Sequence, residues 1–243
     1  AAGRIASSNV IDLFTYGFLS LLPKIIVSYL VGLGIEFIVA QYKKEEIQEG
    51  YLVTGLIIPL ILPINCPLWM MALAVAFAVI FAKEIFGGTG MNIFNVALIA
   101  RAFLFFSYSG KMTGDEIWVA KESIFGLGNN LPEAFTMATP LALGSEQSTR
   151  ISDMIIGLIP GSVGETSVIA IAIGGIILLW TGIASWKTMF SVFVGGALTA
   201  YIFNLTGQSA LPWYEHLILG GFCFGAVFMA TDPVTSARTE GGK

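Results

Sequence analysis

The sequence predicts an all-α, polytopic helical membrane protein with broken half-helices and an inverted repeat. Hydrophobic residues make up 56% of the 243 residues, charged residues only 12%, and the mean hydropathy is +0.82. An ordinary soluble domain carries about 25% charged residues, so lipid must solvate much of this surface. Several apolar runs approach the roughly 20 residues that cross hydrocarbon as a helix. The net charge of −4 leaves no basic face for nucleic acid.

The first long apolar run, residues 17–41, is predicted to be a spanning helix that is interrupted at Pro23. The next run, residues 51–82, contains three prolines. Its first twelve residues would reach only about 18 Å as a helix. We therefore expect a broken helix of the kind that lines a cavity or a site inside membranes.

The later apolar segments are predicted to be helices that cross or enter the membrane, namely residues 91–108, 168–184, 190–204 and 217–231. A shorter piece, residues 154–160, is predicted to be the counterpart of the first broken helix, which is the basis for expecting an inverted repeat. Residues 1–243 are expected to form one transmembrane domain, the core of a longer subunit, with a polar loop at 109–153. Residues 1–12 contain no apolar stretch of a cleavable signal.

Cysteine and histidine are too few to predict a metal site or a disulfide framework. Cys66 and Cys223 both lie among apolar residues, so we expect core packing for each. His216 is the single histidine and follows a Pro-Trp-Tyr sequence, which favours a position at the membrane interface.

A glycine-rich run precedes the predicted helix at 91–108. It comprises Gly87, Gly88, Thr89, Gly90 and Asn92, with Met91 between the last two. Glycines let the backbone approach a ligand closely and present N–H donors at a helix start, which suits a phosphate or a flat ring. The alternative is a tight turn between two helices.

Four charged residues within or beside the apolar segments are candidates for a functional role. Arg101 needs a partner, which is either Glu84 in a structural salt bridge or a phosphate or carboxylate ligand. Glu36, Glu165 and Asp232 are candidates for ion handling, because an ionised carboxylate in hydrocarbon needs a cavity, a partner or a cation. Glu36 could instead pair with a neighbouring subunit, and Asp232 could end a helix in water.

Several motifs occur together in one order along the chain. They lie at residues 10–14, 49–55, 83–95, 101–106, 161–167, 212–214 and 229–233. In these motifs the chain resembles the family of B subunits of the sodium-translocating NADH:quinone oxidoreductases. The resemblance covers essentially the whole sequence.

This resemblance implies a covalent cofactor in the polar loop. The family carries FMN through a phosphoester on the last residue of a Ser/Thr-x-Ala-Thr pattern, and residues 136–139 read Thr-Met-Ala-Thr. The attachment residue would be Thr139, with a separate transferase making the bond. Many relatives have Ser-Gly where this sequence has Thr136 and Met137, a departure that leaves the accepting threonine in place. Residues 87–92 and Arg101 are the candidates for the flavin surroundings.

The resemblance also implies ion transport and partners. Glycines and an acid on the first span are associated in the family with sodium uptake and quinone-site behaviour, which carries over to Gly32 and Glu36. Riboflavin is a further cofactor placed with this member of the complex, ubiquinone is the substrate, and Na⁺ is exported. The family complex lies in the bacterial inner membrane and has six subunits, so the partners would be the A, C, D, E and F subunits.

Two alternatives remain open from the sequence. One is the D subunit of the related ferredoxin:NAD⁺ oxidoreductase complex (RnfD), which shares the flavin threonine. The amino-acid sequence of residues 90–95 and the N-terminal motif with Asp12 favour the quinone reductase. The other is a passive solute channel of the urea-transporter kind, because broken half-helices also form pores.

Overall fold

The computed structural model of this protein describes residues 10–46, 50–113, 118, 139–143, 150–209, 211–237 and 239–243. No β-strand forms within these ranges, which confirms the prediction of an all-α fold. Their α-helices in chain order are α1 Val10–Lys43, α2 Tyr51–Ile61, α3 Leu68–Ala78, α4 Val96–Ser107, α5 Ser109–Met112, α6 Pro140–Leu143, α7 Ile151–Ile156, α8 Val168–Trp180, α9 Trp186–Leu205, α10 Trp213–Ile218 and α11 Phe222–Phe224. Two π-helical segments, Val79–Lys83 and Gly225–Met229, continue α3 and α11.

Three helical stretches are long and apolar enough to cross a membrane, Phe14–Lys43, Leu68–Phe86 and Trp186–Leu205. They confirm a helical membrane protein. The predicted interruption at Pro23 is wrong, because Pro23 lies inside the continuous helix α1. A proline removes only one helical hydrogen bond, and a helix in lipid keeps the remaining bonds because it has no water to replace them.

The prediction of a break within residues 51–82 is confirmed. Helix α2 ends at Ile61, and α3 begins at Leu68 directly after Pro67. With 11 residues, α2 is too short to cross the membrane alone. A break of this kind leaves helix-end carbonyl groups in apolar surroundings, where each group needs a hydrogen-bond donor.

The loop at residues 161–167 supplies two of these donors. The backbone N–H of Gly164 donates to the carbonyl of Leu60 at 3.0 Å, and the hydroxyl of Ser162 donates to the carbonyl of Ile61 at 3.1 Å. Ser162 is almost fully buried. The loop after the short helix α7 is therefore fixed against the end of the first broken helix.

Lys24 supplies the donors for two further carbonyls. Its ammonium group reaches from α1 and donates to Pro63 at 2.6 Å and to Ile64 at 2.5 Å. The side chain is only 4% exposed. A lysine of the first helix thus closes the break between α2 and α3, and no sequence pattern predicted this contact.

The predicted single helix at 217–231 is wrong in its continuity. Helix α10 ends at Ile218, and a turn at Gly220 and Gly221 separates it from α11. Gly220 adopts a φ of +64°, in the left-handed region that ends helices. The second part of the chain therefore also contains a broken apolar segment. The inverted relation between the two breaks stays a prediction.

The core lies around α2, α3 and α4, where Tyr51, Met71 and Leu104 are fully buried. Cys66 and Cys223 are buried in the same cluster, which confirms core packing for both. Helix α9 is different, because most of its apolar side chains lie on the surface. Lipid or a partner subunit must cover such a face in the membrane.

Candidate functional site

A first cavity brings Thr139 together with Arg101 and Glu165. Thr139 directly precedes α6, Arg101 belongs to α4, and Glu165 lies in the loop at 161–167. The cavity encloses about 180 Å³. Its other lining residues are Trp118, Pro140, Leu141, Ile159, Pro160, Gly161, Ser162, Thr166, Gly220 and Gly221. Residues that are far apart in the sequence therefore converge on the predicted attachment threonine.

Arg101 forms an ion pair with Glu165 inside this cavity. The alternative partner Glu84 is wrong, because Glu84 pairs with Lys43 at 3.3 Å. The side chain of Glu165 is 7% exposed and that of Arg101 is 32% exposed. A Cβ atom on Gly221 would lie 2.8 Å from the carboxyl carbon of Glu165, so a larger residue there would displace the carboxylate. The pair holds a partly accessible guanidinium at the cavity.

The size and chemistry of the first cavity fit the phosphate end of FMN. Arginine presents several N–H donors in a fixed plane, which suits phosphate oxygens. A volume of about 180 Å³ is below the roughly 300–1,000 Å³ of pockets that enclose whole small-molecule ligands. The cavity therefore fits a phosphate and the adjacent chain, with the ring system outside it. Residues 136–138 of the predicted motif lie outside the described residues.

A second cavity of about 370 Å³ lies at the start of α4. Its polar lining includes Lys83, Thr89, Asn92, Asn95, Thr231 and Asp232, and its apolar lining comes from α2, α8 and Phe228. This volume is within the range of pockets that hold whole small molecules. Apolar walls with several amide, hydroxyl and carboxylate groups suit a flat, neutral ring with polar edges.

Asn95 and Asp232 form the polar corner of the second cavity. Asn95 Oδ1 accepts from the backbone N–H groups of Ala97 at 3.0 Å and Leu98 at 3.2 Å, so it caps α4. Its amide nitrogen donates to Asp232 Oδ2 at 3.3 Å. Asp232 also accepts from the hydroxyl of Thr235 at 2.7 Å. The alternative interpretation placed Asp232 at a helix end in water. Asp232 does follow the end of a helical segment, at Met229, but its side chain is partly buried.

Glu36 forms a buried ion pair with Lys83. Glu36 is 6% exposed and Lys83 is 4% exposed. Glu36 also lines a small cavity of about 30 Å³, whose other acidic residues are Glu45, Glu46 and Glu84. The alternative interpretation expected Glu36 to pair with a neighbouring subunit. The structure instead gives Glu36 a partner within the chain, Lys83.

Gly32 lies one turn before Glu36 and packs against Tyr51. A Cβ atom at Gly32 would overlap the Tyr51 ring. The Tyr51 hydroxyl donates to the carbonyl of Ser28 at 3.1 Å, which fixes the ring against α1. Gly32 therefore allows a buried aromatic ring beside the Glu36–Lys83 pair.

The glycine-rich run lies elsewhere than the attachment threonine. Gly87, Gly88 and Gly90 have φ values of +114°, +89° and +90°, so the backbone needs glycine at these turns. Gly87 and Gly88 line the small acidic cavity, Asn92 lines the second cavity, and Thr89 lines both. Among the described residues that line the Thr139 cavity, none belongs to residues 87–92. Contact between the glycine-rich run and a flavin stays a prediction. If it occurs, it would be at the second cavity, which Thr89 and Asn92 line.

Sequence reasoning missed two charged residues that the structure places at these sites. Lys83 is the partner of Glu36, and Lys24 closes the helix break. Each is a lysine at or within an apolar run, which is costly in lipid unless the charge is paired. Arg101 and the acids were selected because a charge in an apolar segment needs a partner, and the same reasoning selects both lysines.

Comparison with known proteins places the chain in a family. The family model described as NQR2, RnfD, RnfE family matches residues 6–243. The chain is 45% identical to the B subunit of the Na⁺-translocating NADH-quinone reductase of Chromohalobacter salexigens over 236 residues, which cover 95% of this chain and 56% of the relative. It is 42% identical to the B subunit of the same name from Azotobacter vinelandii over 239 residues, which cover 96% of this chain and 58% of the relative.

A third relative gives the same result. The B subunit of the same name from Klebsiella pneumoniae is 41% identical over an alignment of 255 positions, which covers 98% of this chain and 59% of the relative. The chain thus spans 56–59% of the length of these curated relatives. The match over nearly the whole chain, together with the broken-helix membrane fold, shows that this protein belongs to the NQR2, RnfD, RnfE family.

Proposed function

We propose that this chain is the flavin-bearing membrane subunit of a sodium-translocating NADH:quinone oxidoreductase. It carries FMN as a phosphoester on Thr139 and relays electrons towards ubiquinone while the complex exports Na⁺. The observation that carries the proposal is the cavity that joins Thr139 to the guanidinium of Arg101. Relatives that are 41–45% identical to this chain are named B subunits of Na⁺-translocating NADH-quinone reductases, which supports the proposal.

The residues of the first cavity have separate roles in this proposal. The Thr139 hydroxyl oxygen is the point of attachment for the phosphate. Arg101 donates hydrogen bonds to the phosphate oxygens, and Glu165 holds the guanidinium in place through the ion pair. The bound flavin supplies the one-electron and two-electron chemistry, while the protein supplies orientation and electrostatics.

The second cavity is proposed as the binding place of a neutral ring, for which riboflavin is the candidate. Its volume of about 370 Å³ suits a whole ring system better than the Thr139 cavity does. Asn92 and Asn95 offer both donors and acceptors for the polar edge of such a ring.

Ion handling is proposed for Glu36 and Asp232, with different support for each. Glu36 lies between a small acidic cavity and a buried lysine. Asp232 lines the second cavity and already accepts hydrogen bonds from Asn95 and Thr235. Glu165 is a weaker candidate for a cation ligand, because its carboxylate is engaged by Arg101.

The proposed setting is the bacterial inner membrane, with the A, C, D, E and F subunits as partners. The exposed apolar surface of α9 and of α1 is compatible with lipid or with neighbouring helices. Electrons would arrive from the FMN of the C subunit in this proposal.

The test of the attachment site uses the purified complex, expressed together with the flavin transferase. Thr139→Val keeps the shape of the side chain but removes the hydroxyl, so we expect complete loss of flavin fluorescence from this subunit on a denaturing gel. Thr113→Val, at an exposed threonine of the same loop outside the Ser/Thr-x-Ala-Thr pattern, is the matched control and should keep the fluorescence. Mass spectrometry of the wild-type peptide should find one FMN on Thr139. Flavin that stays on the Thr139→Val chain would contradict the assignment.

Two alternative functions give different results in the same preparation. A passive solute channel would contain no covalent flavin at all. A D subunit of a ferredoxin:NAD⁺ oxidoreductase would carry the flavin but would not assemble into a complex that reduces ubiquinone with NADH. The named relatives of this chain favour the quinone reductase.

A further inference from the structure

The ion pair between Glu36 and Lys83 separates two cavities. Glu36 lines the small acidic cavity of about 30 Å³, and Lys83 lines the second cavity of about 370 Å³. Thr89 lines both, so the two spaces are neighbours at this point. The Glu36–Lys83 pair therefore lies between a space rich in carboxylates and a space that contains Asp232.

A buried ion pair at this position needs an explanation other than stability. Removing two charges from water has a cost that their attraction repays only in part, and apolar residues would pack as well. Both groups are almost fully buried, Glu36 at 6% and Lys83 at 4% exposed. Buried ionisable residues within the apolar segments of membrane proteins are often part of ion pathways.

The Lys83 ammonium has a second place to interact. Its nitrogen lies 5.8 Å from the centre of the Tyr51 ring, within the distance of a cation–π contact. The Tyr51 ring is fully buried and fixed by its hydrogen bond to Ser28. An ammonium that leaves the carboxylate of Glu36 can therefore stay close to the ring without reaching water.

The backbone at Lys83 differs from that of a regular helix. The residue ends the π-helical segment Val79–Lys83, and its φ of −123° and ψ of −62° lead into a short 3₁₀ turn at Glu84–Phe86. π-Helical segments occur frequently at functional sites. The base of the Lys83 side chain is thus held at a change of helix type, where it turns towards both Glu36 and Tyr51.

We propose that Lys83 is the resident counter-ion of a monovalent-cation site at Glu36. The transported cation binds the Glu36 carboxylate only when the ammonium moves towards the Tyr51 ring, so Lys83 sets the apparent affinity for the cation. This inference deepens the proposed function, on which it rests. Lys83 positions the charge and does not itself bind the cation.

The size of the effect follows from competition. A site that is competent for only a fraction of the time has an apparent dissociation constant raised by the inverse of that fraction. If Lys83 occupies Glu36 for about nine-tenths of the time, then its removal lowers the Na⁺ concentration for half-maximal turnover about tenfold.

The experiment measures the Na⁺ concentration for half-maximal quinone reduction in the purified complex. Lys83→Met should lower this concentration about tenfold, while Lys83→Arg, which keeps the charge, should keep it near the wild-type value. Lys187→Met is the control, because Lys187 pairs with Glu240 at 2.6 Å and lines neither cavity. It should leave the value unchanged. A merely structural role for Lys83 would reduce assembly or turnover without this shift.

Two further measurements keep the result decisive. If Lys83→Met does not assemble, then Lys83→Gln, which keeps a hydrogen-bond donor for Glu36 without the charge, is judged by the same shift. Glu36→Gln should abolish the Na⁺ response in either background. A wild-type complex that shows no Na⁺ stimulation contradicts the proposed function itself. A wild-type response with an unchanged value in Lys83→Met or Lys83→Gln overturns only the role of Lys83.

Discussion

Lys24 offers the sharpest test of how the break between α2 and α3 is held. Its ammonium donates to the carbonyls of Pro63 and Ile64 at 2.6 Å and 2.5 Å from a buried position. Lys24→Met keeps the length of the side chain and removes both donors. Hydrogen bonds to charged groups contribute about 1.5–3 kcal/mol each, so two of them amount to about 3–6 kcal/mol.

Part of this loss is offset, because the variant no longer buries an ammonium group away from water. We therefore expect Lys24→Met to lower the free energy of unfolding by about 2–4 kcal/mol. Unfolding of the purified subunit by sodium dodecyl sulfate in mixed micelles, followed by tryptophan fluorescence, measures this value. Lys111→Met is the control on an exposed lysine, with an expected change within about 0.5 kcal/mol.

A local readout tests the same mechanism at the break itself. The Cys66 amide also donates to the Pro63 carbonyl, at 3.1 Å, and its thiol is buried. A loss of about 2 kcal/mol in local stability corresponds to roughly a 30-fold faster reaction of the Cys66 thiol with a maleimide, when opening limits access. Cys223, which is buried in the same core cluster but on α11, is the internal reference, and its rate should change less than that of Cys66. Equal labelling of Cys66 in both proteins, with unfolding energies that agree, would refute the role of Lys24.

Two other variants test the packing of the candidate sites in the same unfolding assay. Gly32→Ala places a methyl group into the Tyr51 ring and should lower the free energy of unfolding by about 1–3 kcal/mol. Gly34→Ala is the control, because the space around Gly34 is open, and it should be neutral or slightly stabilising. Equal effects at both positions would contradict the close packing of Gly32 against Tyr51. Glu165→Gln keeps an acceptor for Arg101 but removes the negative charge of the ion pair. Because that guanidinium is a third exposed, we expect a loss of about 1–2 kcal/mol, below the roughly 3–5 kcal/mol of a fully buried pair; an unchanged stability would show that the charge of Glu165 contributes nothing.

The positions of the helices could be predicted from the sequence where a local chemical signal marks their ends. The break in residues 51–82 was predicted from its prolines, and it lies between Ile61 and Leu68 with Pro63 and Pro67 in it. Helix α9 was predicted at 190–204 but begins at Trp186, directly after Ser185, whose side chain accepts from the Thr188 amide at 3.5 Å. The start of α4 was predicted at Met91 but lies at Val96, because glycine conformations extend the turn to the capping residue Asn95.

The partners of the charged residues could not be predicted, because no local signal carries them. Arg101 and Glu165 are 64 positions apart in the chain, and Glu36 and Lys83 are 47 apart. An apolar run says that a charge within it needs a partner, but it does not say which one. Thr139 was selected by resemblance alone, and only the fold places it beside Arg101.

The two π-helical segments have a consequence for how this fold can change. Each wide turn holds an additional residue, and adding one residue to an α-helix rotates everything beyond it by about 100°. Lys83 ends one such segment, and Thr231 and Asp232 follow the other. Deleting a single apolar residue from either segment would restore a regular helix and turn these side chains away from their cavities, even though no polar residue had been replaced. The number of residues in these turns is therefore under the same constraint as the identity of the charged groups that they orient.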